Sequence, residues 1–170
     1  MAIPDQDPGV AENILLALKT QCEAITHANL YRTDVQSVEW SNKDWGEAPR
    51  TSTLPWVGIV PQEEDFVQRA GKVIESAWQI DIIAHLKIDD SPPTMLRALA
   101  ASNDFLMDLR RRLLNTNSAQ LGVAGVHRVS LRRRQTNLGS LEAFRQGVTT
   151  SVFRIVVKYE EATDSGEVVT

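Results

Sequence analysis

The stretch Trp78-Gln79-Ile80-Asp81-Ile82-Ile83-Ala84-His85-Leu86-Lys87-Ile88 carries the strongest structural pattern in this chain. Its large apolar residues alternate with mainly polar ones, and this period of two predicts a β-strand with one dry face and one largely polar face. Such a strand is stable only when an apolar layer covers the dry face. The sequence supplies a covering element directly downstream, where Ser91-Pro92-Pro93 opens a long amphipathic helix.

Other periodic segments flank this strand. Helical spacing of apolar residues predicts helices over residues 10–28 and 91–115. In the second helix the predicted core stripe consists of Leu96, Leu99, Leu106, Leu109 and Leu113. Strands are predicted at residues 35–40, 54–60, 72–88, 126–134 and 149–159. Pro61 is expected to close the second strand, and an acidic connector then leads through a hairpin into the third. Residues 135–147 are predicted to form a polar loop.

The chain has 170 residues, of which 42% are hydrophobic and 24% charged, and this composition is typical of one globular domain. We expect a flexible arm over residues 1–9, a single α+β domain over residues 10–161, and a flexible acidic tail over residues 162–170. No apolar run approaches the about 20 residues of a membrane-spanning helix, and residues 1–5 lack the pattern of a signal peptide. We therefore expect a cytoplasmic protein without membrane contact.

Charge is distributed unevenly along the chain. The net charge is -4, but residues 1–94 contain 15 acidic and 7 basic residues, whereas residues 95–170 contain 7 acidic and 11 basic ones. Such asymmetry can steer a polyanion toward one surface. It can equally let copies of one chain meet basic edge to acidic edge in a ring. The sequence leaves both interpretations open.

The residues that could support catalysis form no recognisable motif. His27, His85 and His127 are the three histidines, and none sits in a motif that presents a nucleophile or a metal pair. Cys22 is the single cysteine, and its spacing places it on the apolar side of the first helix, which favours a buried structural thiol. We therefore predict no enzyme and no cofactor.

Two acidic groups, Glu63-Glu64-Asp65 and Asp89-Asp90, offer oxygen ligands of the kind that hard divalent cations use. Their spacing matches no known ion-binding loop. A solvated acidic rim is therefore favoured, and no metal site is predicted.

Basic and aromatic residues indicate contact surfaces. Arg110-Arg111-Arg112 would spread around a helical turn, and Arg132-Arg133-Arg134 would alternate between the two faces of a strand, so neither triplet forms one patch. Ion pairs between subunits are favoured over loose phosphate contact. Trp45 lies in the turn-rich loop of residues 41–49, and an exposed tryptophan there is typical of a partner contact.

The order of these elements carries a resemblance to a known family. The segments concerned are Leu54-Pro55-Trp56-Val57-Gly58-Ile59-Val60-Pro61, the junction Asp89-Asp90-Ser91-Pro92-Pro93, and the final strand ending Val156-Val157-Lys158-Tyr159-Glu160. Over residues 10–161 the chain resembles the tail terminator, or tail completion, proteins of long-tailed bacteriophages and related prophage neck proteins. The resemblance implies an α+β fold: a mixed or mainly antiparallel sheet of about four to five strands, with two helices packed on one face.

The resemblance also implies a function in the virion. Such a protein forms a homohexameric ring on the head-proximal end of the tail tube, stops tube polymerisation and docks to the head or neck. The implied partners are further copies of this chain, the major tail tube protein, a neck or head-completion protein and, in a contractile tail, the sheath protein. DNA would pass through the lumen without specific contact, and assembly would take place in the host cytoplasm.

We expect the contact regions to include Trp45, the three arginines 132–134 and the loop after them. The residues concerned are Trp45, Arg132, Arg133, Arg134, Leu138, Leu141 and Phe144. Three alternatives remain open: a head–tail connector or tail tube subunit, a small enzyme whose residues are assembled from distant positions, and a non-specific DNA-binding module.

Overall fold

The computed structural model describes residues 9–40, 53–69, 73–114 and 121–162. The side chains of residues 68, 69, 137, 138 and 162 are not described. The helices are α1 (Val10–Glu23), α2 (Met95–Leu113) and α3 (Leu141–Arg145). The strands are β1 (Ser37–Trp40), β2 (Trp56–Arg69), β3 (Val73–Lys87), β4 (Val126–Leu138) and β5 (Val148–Ala162). A short 3-10 helix, His27–Asn29, follows α1.

The five strands form one mixed sheet in the order β1-β2-β3-β5-β4. β1 runs parallel to β2, and the other neighbouring pairs are antiparallel. The predicted hairpin between the second and third strands is confirmed as β2–β3. The α+β class, with helices packed on a five-stranded mixed sheet, is therefore confirmed.

One face of the sheet forms the main core with α1 and α2. The alternation predicted for the central and last strands is confirmed on this face, where Ile80 and Ile82 of β3 lie beside Phe153 and Ile155 of β5. The Phe105 ring of α2 packs against Phe153 with the ring centroids 5.3 Å apart. The buried residues of α1 are Ile14, Leu18 and Cys22, so the prediction of a buried thiol is confirmed.

The opposite face of β3 is less polar than its sequence pattern predicts. Asp81, Ile83 and His85 are all buried, because a second, smaller core covers this end of the sheet. That core consists of Leu54, Trp56, Ile83, Val148 and Val152. The prediction of one dry and one largely polar face is wrong for this part of β3.

Two predicted boundaries are also wrong. β2 does not stop at Pro61: it continues through the acidic connector to Arg69, with a register shift between Pro61 and Glu64. The described pairing of β1 with β2 ends at Ile59, two residues before Pro61. Proline has no N–H to donate, and at this position none is needed for the pairing with β1. The predicted loop at residues 135–147 instead contains the end of β4 and α3, whose N-cap Ser140 accepts a hydrogen bond from the Ala143 N–H at 3.0 Å.

The predicted core stripe of α2 is partly wrong. Leu96 and Leu99 expose 75% and 43% of their surface, whereas Ala98 and Ser102 in the same half of the helix are buried. The buried residues of α2 are Ala98, Ser102, Phe105, Asp108, Leu109 and Leu113. The helix has apolar residues on two sides, and side-chain size does not reveal which side packs closely. Asp108 is also buried, with 3% of its surface exposed.

Candidate interaction surfaces

The sheet ends in two different edges. Only residues 56–59 of β2 pair with β1, so beyond Ile59 the outer side of β2 has no described partner strand. On the other side of the sheet, β4 pairs with β5, and no described strand pairs with its outer edge. Unpaired edges present backbone N–H and C=O groups to other chains. Both edges are therefore candidate contact surfaces.

The outer part of the β2–β3 hairpin, residues 62–69 and 73–75, combines acidic and apolar side chains, and we refer to it as the acidic arm. Phe66 and Val67 expose 64% and 58% of their surface. Three carboxylates precede them: Glu63, Glu64 and Asp65. Because neighbouring residues of a strand point to opposite faces, these two side chains are separate apolar contact points among charges, and another chain can cover either of them.

Glu64 anchors the acidic arm to the end of the sheet. Its carboxylate accepts a hydrogen bond from the hydroxyl of Tyr159, whose side chain is 2% exposed. Burial and this hydrogen bond raise the pKa of Tyr159 well above its usual value, so the phenol remains a donor. Trp78 also contributes, because its Nε1 donates to the carbonyl of Gln62 at 3.3 Å.

The part of the sheet formed by β4 and β5 is basic. The β4–β5 register places Arg128 opposite Lys158 and Arg133 opposite Arg154, so four cations from two strands share the face that α1 and α2 leave uncovered. Arg132 lies in the register shift between Leu131 and Arg133 and is exposed. This cluster could not be predicted from the sequence, because it depends on strand register.

One of these cations is neutralised by a buried carboxylate. Arg154 donates from Nε and Nη2 to the two carboxylate oxygens of Asp81, at 2.8 Å and 2.9 Å. Asp81 is fully buried, whereas about one third of the Arg154 side chain is exposed. The hydrogen bonds to Asp81 raise the pKa of Arg154 above its ordinary value. The pair fixes the guanidinium in a planar, bidentate geometry.

A groove of about 570 Å³ lies along the C-terminal half of α2. Leu30, Met107 and Leu114 supply its apolar lining, and they expose 80%, 49% and 36% of their surface. The arginines in the lining are Arg32, Arg110 and Arg111. We refer to this surface as the basic-rimmed groove.

The segment that carries Leu30 is held firmly against α2. The Asp108 carboxylate accepts hydrogen bonds from the backbone N–H groups of Arg32 and Thr33, at 3.2 Å and 2.7 Å. Arg111 donates to the carbonyl of Leu30 at 2.9 Å, and its guanidinium lies 4.9 Å from the ring centroid of Tyr31. The groove is therefore a preformed feature of the fold.

The seven residues predicted to form contacts do not come together as one surface. Trp45 lies outside the described residues. Arg134 points toward α2, where it donates to the Asn103 side chain. Arg133 lies on the other face of the sheet, and Arg132, in the register shift, is exposed. The remaining three lie near the end of β4 and in α3. There the Leu138 backbone pairs with Thr150, Leu141 is 63% exposed and Phe144 is half-buried.

The histidines occupy three different environments. His85 is 2% exposed, its Nδ1 lies 2.8 Å from the Thr150 hydroxyl, and its ring lies 5.1 Å from that of Trp56. Burial lowers the pKa of His85 to about 4, so the imidazole is neutral at pH 7. His27 and His127 are exposed. His85 therefore acts as a packing residue of the smaller core.

The two acidic groups considered for a metal ion lie far apart. Glu64 pairs with Trp78 on β3, whereas Asp89 follows the far end of that strand, about 30 Å away at the usual rise per residue. Among the described residues, no three His, Cys, Asp or Glu side chains come close enough to hold an ion.

The thiol of Cys22 is buried in the main core. Burial raises its pKa to about 12, so the thiol is protonated at pH 7.

The fold and these surfaces define an α+β domain whose most prominent exposed features are charged strand edges and an apolar groove. No protein-family model matches the chain, and no curated protein is significantly similar to it. None of the helices in the described ranges is long and apolar enough to cross a membrane.

Proposed function

We propose that this protein is a structural subunit that assembles head to tail into a ring, acting as a bacteriophage tail terminator. One observation carries the proposal: the two outer sides of a single sheet bear opposite charge. Glu63 and Asp65 lie on the β2 side, whereas Arg128, Arg132 and Arg133 lie on the β4 side. Folding converts the uneven charge of the sequence into two complementary surfaces.

A head-to-tail ring requires two different contact patches on each subunit. In a head-to-tail contact each subunit uses two different patches, and rotation about a common axis lets the last copy meet the first. Opposite charges accelerate the encounter and disfavour contacts between identical edges. The charged side chains also prevent unrestricted edge-to-edge pairing of strands, which is the usual hazard of an open sheet.

The resemblance in element order supports the specific assignment to a tail terminator. In that role a ring of six copies would sit on the head-proximal end of the tail tube, stop further addition of tube subunits and present its other face to a neck or head-completion protein. Contacts with a sheath protein would be added in a contractile tail. The function would reside in interfaces between chains.

Native mass spectrometry and negative-stain microscopy of the purified protein test the proposal. A terminator should form closed rings of uniform mass, most readily at low salt because its contacts are partly ionic. Long cylinders would instead assign the protein to the tail tube. A monomer at every concentration and salt tested, including in the presence of tail tubes, would refute the ring.

A second candidate function is supported by the β4–β5 register. Arg128, Lys158 and Arg133 form a cationic row on the face that α1 and α2 leave uncovered, and such a row can neutralise phosphates of a nucleic-acid backbone. Retention on DNA should then fall steeply with salt and fall further in the Arg128→Ala, Arg133→Ala double variant. Retention that is unchanged in the double variant would exclude this candidate.

A further inference from the structure

We propose that the acidic arm of one copy docks in the basic-rimmed groove of the next copy, with Phe66 against Met107 and Leu114. This inference rests on the proposed head-to-tail ring and names the contact that closes it. It adds a defined apolar anchor to the charge complementarity of the sheet edges.

Exposed apolar surface provides the first argument. Phe66 is 64% exposed on the arm, and Met107 is 49% exposed in the groove. Exposed apolar surface of this kind contributes favourable free energy when another chain covers it. An aromatic ring inserted into a preformed groove is the usual form of an interface hot spot. The groove volume of about 570 Å³ leaves ample room for one phenyl ring.

The positions of the two patches favour a contact between copies. α1 packs over β1 and β2, whereas α2 packs over β3, β5 and β4. The arm extends from β2 and β3, whereas the groove lies between α2 and the segment before β1 that carries Leu30 and Arg32. A contact between two different patches of one domain is heterologous, and it can continue around a ring.

Charge identifies which surface fits the groove. Residues 62–75 contain four acidic and two basic residues, whereas residues 95–113 contain four arginines and two aspartates. Both aspartates are already engaged, because Asp104 pairs with Arg32 at 2.9 Å and Asp108 accepts two backbone hydrogen bonds. A two-fold contact between two grooves would bring Arg110 and Arg111 of both copies together. The acidic arm avoids this repulsion.

Cysteine cross-linking tests the contact directly. Phe66→Cys and Met107→Cys chains are mixed at a concentration where the wild-type protein assembles, and disulfide formation is followed under mild oxidation. The native Cys22 is fully buried and contributes little background. We expect a cross-linked dimer of the two variants. The matched control replaces Met107→Cys by Leu16→Cys, since Leu16 is 52% exposed on α1, and this pair should not cross-link.

Substitutions of the two apolar anchors provide a second, independent readout. Phe66→Ser and Met107→Glu should each raise the protein concentration needed for assembly at least tenfold, because Phe66→Ser removes the apolar anchor and Met107→Glu also places a carboxylate against the acidic arm. Leu16→Glu should leave assembly unchanged. A mixture of the two groove-contact variants should stop at pairs, since it retains one intact contact between an unaltered arm and an unaltered groove.

The outcomes separate this inference from the proposed ring. Rings that form equally well in Phe66→Ser and Met107→Glu, without specific cross-linking, would overturn the docking of the arm and leave the ring in place. A wild-type protein that stays monomeric, together with a Phe66→Cys and Met107→Cys pair that cross-links no more than the Leu16→Cys control, would overturn both. Circular dichroism checks that every variant is folded, as expected for substitutions at exposed positions.

Discussion

Asp108 offers the sharpest test of how the groove is built. Its buried carboxylate accepts hydrogen bonds from the backbone N–H groups of Arg32 and Thr33, at 3.2 Å and 2.7 Å. Asp108→Asn keeps the shape but replaces one acceptor oxygen by an NH2 group, which cannot accept a hydrogen bond. One charge-assisted bond is lost and one backbone N–H is left without its acceptor. We expect the free energy of unfolding to fall by about 2–3 kcal/mol.

Urea unfolding at pH 7 and matched protein concentration measures this change. For a domain of this size the loss corresponds to a decrease in Tm of about 5–10 °C. Asp104→Asn is the matched control, because Asp104 lies one turn earlier in α2 and its pair with Arg32 is exposed. That control should change the free energy of unfolding by less than about 1 kcal/mol. If Asp108→Asn is no more destabilising than Asp104→Asn, the carboxylate does not hold the groove together.

Three further predictions concern buried polar groups. The Ser102 and Ser151 hydroxyls lie 2.9 Å apart. Ser102→Ala should lower the free energy of unfolding by about 1–2 kcal/mol, because it leaves the Ser151 hydroxyl without its partner. Adding Ser151→Ala should recover part of this loss, and thermal unfolding of the wild type, both single variants and the double variant measures it. The pKa of His85 is lowered to about 4 in the folded chain. Below a pH of about 6.5 the unfolded chain therefore binds a proton at His85, whereas the folded chain does not, and this difference favours unfolding. Stability should therefore fall by up to about 3 kcal/mol as the pH decreases from 6.5 to 4, and His85→Gln should lack that part of the decrease in urea titrations. Arg154→Met should lower the free energy of unfolding by about 3 kcal/mol, because it leaves the buried Asp81 carboxylate unpaired. The Asp81→Leu, Arg154→Met double variant should be more stable than Arg154→Met alone, as measured by calorimetry.

Each of these predictions has a distinct contradicting result. Strictly additive losses for the two serines would mean that their hydroxyls do not depend on each other. A pH dependence that is the same with and without His85 would place the responsible group elsewhere. A double variant no more stable than Arg154→Met would show that the unpaired carboxylate is not the cause of the loss.

The candidate surfaces were only partly predictable from the sequence. The opposite charge of the two parts of the chain is a property of composition and is read without a structure. The pairing of Arg133 with Arg154 is not, because those residues are 21 positions apart and meet only through strand register. Phe66 directly follows the acidic run Glu63-Glu64-Asp65, and no local pattern shows that it extends a strand.

The residues by themselves determined the α+β class and the dry face of the sheet, because alternation and helical spacing are local properties that each segment expresses alone. Tertiary packing decided which side of α2 faces the sheet, and with it that Leu96 and Met107 are exposed. It also decided how far β2 extends past Pro61. These features depend on close packing and pairing between distant segments, and so the acidic arm and the basic-rimmed groove became visible only in the folded chain.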